Sequence, residues 1–476
     1  MNADYPSQHS VSHRARPRNR RAFSPTLSRL ILTMFISSLT SYGWALSLSN
    51  GQASPGDINT GFVTAAGTQF MDASGRPLLF RGLNVVNKSK DQGYTENISP
   101  ADFALIRSWG MNVVRLGIFW DGLEPQPGHF DEAYLDRIAK LVGYAKQQGL
   151  YVLLDMHQDL YSVKFGDGAP LWATLDEGKP HNTEGADWSD AYYVSEGVQT
   201  ALDHFWANSP APDGMGLQDH YAKAWQFVAS RFKDLPDVIG YDLMNEPFPG
   251  QDAGRVEQAS LTRLSELLAK RPHQRHPSAQ ELFAMEGKPE GRKQITKWMG
   301  DMTLFRSMLE AGTLIMQNFD RTRLEPMYER VRKAIRQVDS RHILFIEPAM
   351  SANMGIRTAI APLKNEEGRR DPQQAFAPHV YDIVVDTALL NLTSKARVAL
   401  IVRRQEQFST HALMPMLVGE WGGFYLNSAA VEPARYLVRQ FQNVSCGYVY
   451  WSYQPELAKW PGLETLKGQL AVQTSP

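Results

Sequence analysis

The sequence predicts an α/β protein built as a (β/α)8 TIM barrel, and three observations carry that prediction. Eight short apolar runs recur along the chain with helical patterns between them, the mark of parallel strands buried on both faces. Polar and charged residues fall at the C-terminal ends of these runs, where a barrel keeps its chemistry. A Gly-x-Gly-x-x-Gly turn after an early strand is absent, which argues against a doubly wound open sheet.

The elements follow in order. Six arginines between Arg14 and Arg29, an apolar segment from Leu30 and small residues up to Ala45 read as a secretory signal over 1–45. An uncleaved membrane anchor is the alternative, although the apolar run is short for spanning. A polar leader over 46–75 precedes the barrel, expected over 76–462. The first strand is expected over 78–85. Ser99 then caps a helix with Pro100 in its first turn, a standard helix start. The second strand is expected over 112–119. Tyr134, Leu135, Ile138, Leu141, Val142 and Ala145 share one helical face over 130–148. The remaining strands are expected over 151–157, 238–245, 342–347, 375–381, 415–420 and 447–452, and 463–476 form a tail.

Two connections exceed what a minimal barrel needs. The loop after the third strand carries Phe165, Trp172, Trp188, Tyr192, Tyr193, Phe205 and Trp206 among polar residues. It suits either a sugar-binding rim or a loop packed on itself. The excursion after the fourth strand, about 251–320, ends in an apolar face from Leu304 to Phe319. That face is expected to pack against the barrel, the alternative being a seat for an apolar substrate tail.

Forty-three per cent of the 476 residues are hydrophobic, enough for one large core. Loss of 1–45 removes six Arg and Asp4 and takes the net charge from −1 to −6, a poor balance for nucleic acid. Cys446 is the only cysteine, so an intrachain disulfide and a thiolate metal site are excluded.

The chemistry is expected at two strand ends. Glu246, in Asn245-Glu246-Pro247, and Glu420, in Gly419-Glu420-Trp421-Gly422, offer the carboxylate pair that glycoside cleavage needs. Asn245 is placed to bond a sugar hydroxyl. Arg115 should sit near Glu420 and favour its ionised form, Tyr381 should donate to the same carboxylate, and Trp451 offers a flat surface for a sugar ring. Glu246 must be protonated when it acts first, so a poorly solvated pocket is expected around it. Glu347 also ends a strand before a proline and is expected to hydrogen-bond. Asp155, His157 and Asp159 lack a complete ligand set, so no metal is expected. A Gly-x-Ser-x-Gly elbow is absent, which argues against an α/β-hydrolase.

The ordered set of Arg115, His157 in Leu-Asp-Met-His-Gln-Asp, Asn245-Glu246-Pro247, His379-Val380-Tyr381, Glu420 and Trp451 resembles glycoside hydrolase family 5. Within that family, the run from Asp155 to Ser162, Phe165-Gly166-Asp167-Gly168-Ala169-Pro170 and Phe345-Ile346-Glu347-Pro348 are similar to endoglycoceramidases and glycosylceramidases. The resemblance implies an exported retaining β-glycosidase that works without a cofactor, with Glu246 as acid/base and Glu420 as nucleophile. It implies Arg115, His157, Asp159, Asn245, His379, Tyr381 and Trp451 as the supporting shell. The implied partner is a glycan or glycolipid, met through brief contact with a membrane or micelle surface. Two departures stand out: the 251–320 excursion is long, and no C-terminal β-sandwich is expected in the residues after Trp451. A β-glucanase and a non-catalytic carbohydrate-binding barrel are the alternative functions.

Overall fold

The computed structural model describes residues 61–183, 188–271, 276–385, 387–424 and 426–467. The expected export signal, the first part of the leader and the end of the tail lie outside them. Strands β1 (Arg81–Val85), β2 (Val113–Ile118), β3 (Tyr151–Met156), β4 (Val238–Asp242) and β5 (Ile343–Ile346) run side by side in parallel. They are followed by β6 in two pieces (Gln374–Phe376 and His379–Val380), β7 (Leu417–Gly422) and β8 (Gly447–Trp451). β8 returns to β1 with Tyr448 opposite Arg81.

Pro378 splits β6 because it has no N–H to give the ladder. The first piece pairs with β5 through Leu344 opposite Gln374, and the second with β7 through His379 opposite Glu420. A bridge from Phe376 to Met416 completes the ring. All six residues of β2 and all six of β3 are buried, as expected for strands covered on both faces.

The latter part of the leader has structure that its polar composition concealed. Thr64–Ala66, Gln69–Met71 and Pro77–Leu78 form a small antiparallel sheet. Its Phe70 packs on Phe80 at 5.2 Å and on Phe345 at 5.7 Å, joining a core cluster with Val113, Leu153, Ile343 and Leu417. That cluster lies towards the strand N-termini, so the chemistry is left to the opposite mouth.

The long loop after β3 mostly packs on itself: Tyr192, Phe205 and Trp206 are buried, while Trp188 is 48% exposed. The excursion after β4 is helical. Helices α1 (Asp252–Leu268), α2 (Ala279–Glu286), α3 (Pro289–Trp298) and α4 (Met302–Phe319) follow one another. α4 buries Leu304, Phe305, Leu309, Met316 and Phe319, and Phe319 meets the edge of Trp206 at 4.9 Å. The expected apolar face is therefore a packing face. Among the described residues, no helix is long and apolar enough to cross a membrane.

Candidate active site

Register brings the polar strand residues together. Asn84 lies opposite Arg115, Asp155 opposite Asp242 and His379 opposite Glu420. Arg115 is fully buried inside the barrel. Its Nη1 donates to Glu420 Oε1 at 2.7 Å and Asn84 Oδ1 at 3.0 Å. Nη2 donates to Glu347 Oε1 at 2.7 Å and Asn245 Oδ1 at 3.0 Å, and Nε to Asp242 Oδ2 at 2.8 Å. Asp155 Oδ1 lies 2.9 Å from Nη2. One planar fork thus fixes both the nucleophile candidate and the strand end carrying Glu246, a task that a lysine ammonium cannot copy.

Glu420 also accepts from the Tyr381 hydroxyl at 3.1 Å. Glu246 Oε1 accepts from Asn353 Nδ2 at 2.7 Å and pairs with His379 Nδ1 at 2.8 Å. The Glu246 backbone sits at φ 43°, a left-handed conformation that costs a residue with a Cβ about 1–2 kcal/mol. Its N–H is tied to Glu347 Oε2 at 2.9 Å, so the sharp turn before Pro247 is held by a buried carboxylate rather than by a strand. Ligand-type atoms of Glu246, His379 and Glu420 lie within 4.8 Å of one another.

Around this centre, His157 Nδ1 bonds Asp155 Oδ2 at 2.8 Å, and its ring stacks on Trp451 at 5.4 Å and 8°. Lys88 Nζ bonds Asp159 and lies 4.7 Å from the Trp451 ring and 5.9 Å from Trp188. The pocket therefore has one aromatic wall with an ammonium and a carboxylate beside it. Gln158 Nε2 donates to the carbonyls of Asn245 and Glu246 at 2.8 and 3.1 Å, fixing the loop that presents them.

Each of the three acidic clusters in the described residues meets a protein cation, Arg115 bonding Glu420 in the Glu246, His379 and Glu420 group. Lys88 bonds Asp159 in the His157, Asp159 and Asp167 group, and Arg115 forms ion pairs with all three members of the Asp155, Asp242 and Glu347 group.

The electrostatics differ from expectation at Glu420. Burial pushes its carboxyl up to about 8, with His379 and Arg115 opposing and Glu246 and Glu347 reinforcing the rise. Burial also lifts Glu347 to about 8 and Asp155 and Asp242 to about 6. Arg115 alone does not offset desolvation and repulsion among so many acids. Burial by itself would lower His379, but the carboxylates of Glu347 and Glu420 and its bond to Glu246 raise it well above its ordinary value. His157 is held well below its ordinary value, first by burial and then by Lys88.

These shifts have a stability consequence. Above about pH 4 the four raised carboxyls bind protons in the folded chain that the unfolded chain has released, and His379 acts in the same sense above about pH 6.5. Stability should fall as pH rises from about 5 to 8, with His157 opposing this below about pH 6.5, where the unfolded imidazole binds a proton that the folded one has lost. The melting temperature is expected to be lower at pH 8 than at pH 5, and Glu347→Gln should shrink that difference. A melting temperature that rises across this range would show that the cluster does not retain protons.

Every site residue expected from the sequence reaches this mouth: Glu246, Glu420, Arg115, His157, Asp159, Asn245, His379, Tyr381 and Trp451. Sequence reasoning missed Asn84, Lys88, Asp242 and Asn353. Asn84 and Asp242 carried a signal, as polar residues inside otherwise apolar strands; Asn353 carried none.

Comparison with known proteins adds three findings. The family described as cellulase (glycosyl hydrolase family 5) matches residues 71–457. Endoglycoceramidase I of Rhodococcus hoagii (strain 103S) is 35% identical over 219 residues, 43% of this chain and 43% of that protein. This and two further endoglycoceramidases, from Cyanea nozakii and Hydra vulgaris, are matched over 41–47% of their own lengths, so the chain spans less than half of the curated relatives it matches. The solved structure of endo-glycoceramidase II from Rhodococcus sp. as a lactosyl-enzyme intermediate superposes with a TM-score of 0.62 at 26% identity, covering 83% of this chain and 80% of that one.

Proposed function

Since the chain belongs to glycosyl hydrolase family 5, we propose that it is an exported retaining β-glycosidase that cleaves the linkage between the glycan and ceramide of glycosphingolipids. The observation that carries the chemistry is that Glu246 and Glu420 face each other with one oxygen of each within 4.8 Å, a proximity of the kind a retaining pair has. Retaining enzymes hold their carboxyl groups roughly 5–5.5 Å apart, whereas inverting ones leave about 6.5–9.5 Å for a water.

Glu420 attacks the anomeric carbon as Glu246 gives its proton to the leaving oxygen. Glu246 then takes a proton from water, whose oxygen displaces Glu420. Arg115 and Tyr381 occupy the two oxygens of Glu420 and aim it. Trp451, stacked on His157 and with the Lys88 ammonium over its ring, gives a sugar an aromatic and charged surface, with Asp159 beside it. The arginine-rich start and apolar segment of the sequence support export.

The lipid part of the proposal rests on the relatives and on an apolar cavity. A small apolar cavity of about 80 Å³ opens beside Tyr381 between Val380, Leu390, Val398, Phe424 and Leu437. The test compares lactosylceramide in mild detergent with a soluble aryl lactoside and with cello-oligosaccharides. Intact lactose and ceramide are expected from the first. Leu390→Arg, which puts a charge in the cavity wall, should lower kcat/KM for lactosylceramide relative to the aryl lactoside by at least about tenfold, or ~1.4 kcal/mol of transition-state binding. Turnover of cello-oligosaccharides alone would replace the lipid substrate with a glucan and leave the two glutamates in place.

A further inference from the structure

We infer that Asn353 is a positioning residue for Glu246, held in place by the helix Lys395–Ala412; this rests on Glu246 being the acid/base. Asn353 lies in a one-turn helix, Met350–Met354, and is 4% exposed. Its Nδ2 donates to Glu246 Oε1 at 2.7 Å, the oxygen that also meets His379 Nδ1 at 2.8 Å. An oxygen that accepts from Asn353, and from His379 whenever its Nδ1 carries a proton, acts as the carbonyl end of a carboxylic acid, so the transferable proton belongs on Oε2. Oε2 releases that proton to the departing alcohol oxygen as the glycosidic bond breaks, and recovers one from the attacking water in the second half-reaction. Rotation of the carboxyl would misdirect both transfers, and Asn353 opposes that rotation.

The turn that carries Asn353 is tied down on every side. The Met350 N–H donates to Pro247 O at 3.0 Å, and the Tyr381 N–H to Asn353 O at 3.1 Å. One turn therefore links the residue after the acid/base to the residue that bonds the nucleophile. From the helix Lys395–Ala412, Gln405 Nε2 donates to Ala352 O at 2.7 Å and Arg404 Nη1 to Gly355 O at 2.6 Å. Arg404 also bonds Glu310 of α4. Gly355 closes the turn at φ 107°, where a Cβ would press to 3.2 Å on Ile401 and 3.3 Å on Leu309. Glu310 and Leu309 of the long excursion thus stand behind the helix and glycine that hold this turn.

The test uses leaving-group dependence, which a merely structural role would not produce. For Asn353→Ala, kcat/KM on an alkyl lactoside or lactosylceramide, whose alcohol must be protonated to leave, should fall by about 30–100-fold. On 2,4-dinitrophenyl lactoside, whose phenolate leaves unaided, it should stay within about threefold. Asn353→Asp, nearly the same shape without the N–H donors, keeps the test available if the Ala variant does not fold. Equal losses on both substrates, or no loss on either, would overturn the inference. Glu246→Ala serves as the reference. If it shows the split and the Asn353 variants do not, only the positioning role fails; if it shows no split, the acid/base assignment falls and takes this inference with it.

Discussion

Replacing Glu420 by Gln should lower kcat/KM by at least about 10⁴-fold on every glycoside tested, because no bond to the anomeric carbon can then form. The loss should be indifferent to leaving group, since the missing step is the attack itself. The fold should survive, because the introduced amide keeps the shape of the carboxylate: its oxygen can accept from Arg115 and its NH2 can donate to the Tyr381 hydroxyl oxygen. Glu420→Gly makes the stronger test. It leaves room where the carboxylate stood, and azide supplied at high concentration should enter, attack an activated glycoside from that face and give the inverted glycosyl azide. Full activity of either variant would remove Glu420 from the mechanism.

Replacing Glu246 by Ala should produce a different pattern. General acid assistance contributes about 10²–10⁴-fold, and only where the leaving group needs a proton. kcat/KM should therefore collapse on alkyl glycosides and persist on 2,4-dinitrophenyl glycosides. With the latter the glycosyl-enzyme should accumulate for want of a base, and azide should restore kcat by attacking it, giving a product of retained configuration. The two variants are thus told apart by the stereochemistry of one product. Glu347→Gln offers a control: its carboxylate holds Arg115 and the Glu246 N–H without facing the anomeric carbon, so azide should rescue neither step.

The barrel was legible because parallel strands buried on both faces must be apolar almost throughout, which needs no partner to be read. Boundaries moved at Pro378, where the strand splits for lack of an N–H, at the first strand, which begins at Arg81 because Leu78 pairs with Phe70 in the small sheet, and at the fourth, which ends at Asp242. The small sheet around Phe70 was illegible because its residues are mostly half-exposed and its one anchoring ring acts through the far end of the barrel. The excursion after β4 showed only its apolar last helix; α1 and α3 are amphipathic with strongly charged outer faces, which hid the helical period, and α2 is short and buries only Leu282.

The site divides in the same way. Glu246 and Glu420 announce themselves as carboxylates that end apolar runs, and Arg115 as a charge inside one. The raised carboxyl of Glu420 was not legible, since it depends on how many acids share the space around Arg115, and register alone brings Asp155, Asp242 and Glu347 there. Asn353 could not be found from sequence, because an Asn in a short polar turn is ordinary and its importance comes from the neighbour the fold gives it.

The central claim is that Glu420 forms a covalent bond to the sugar, and trapping that bond tests it most directly. A 2-deoxy-2-fluoro lactosyl fluoride, whose fluorine slows both steps while its leaving group keeps the first one fast, should inactivate the protein with time. The intact mass should rise by one fluorolactosyl group, and the peptide bearing that group should be the one with Glu420. A label on Glu246 or Glu347, or turnover with inversion and no label at all, would contradict the account.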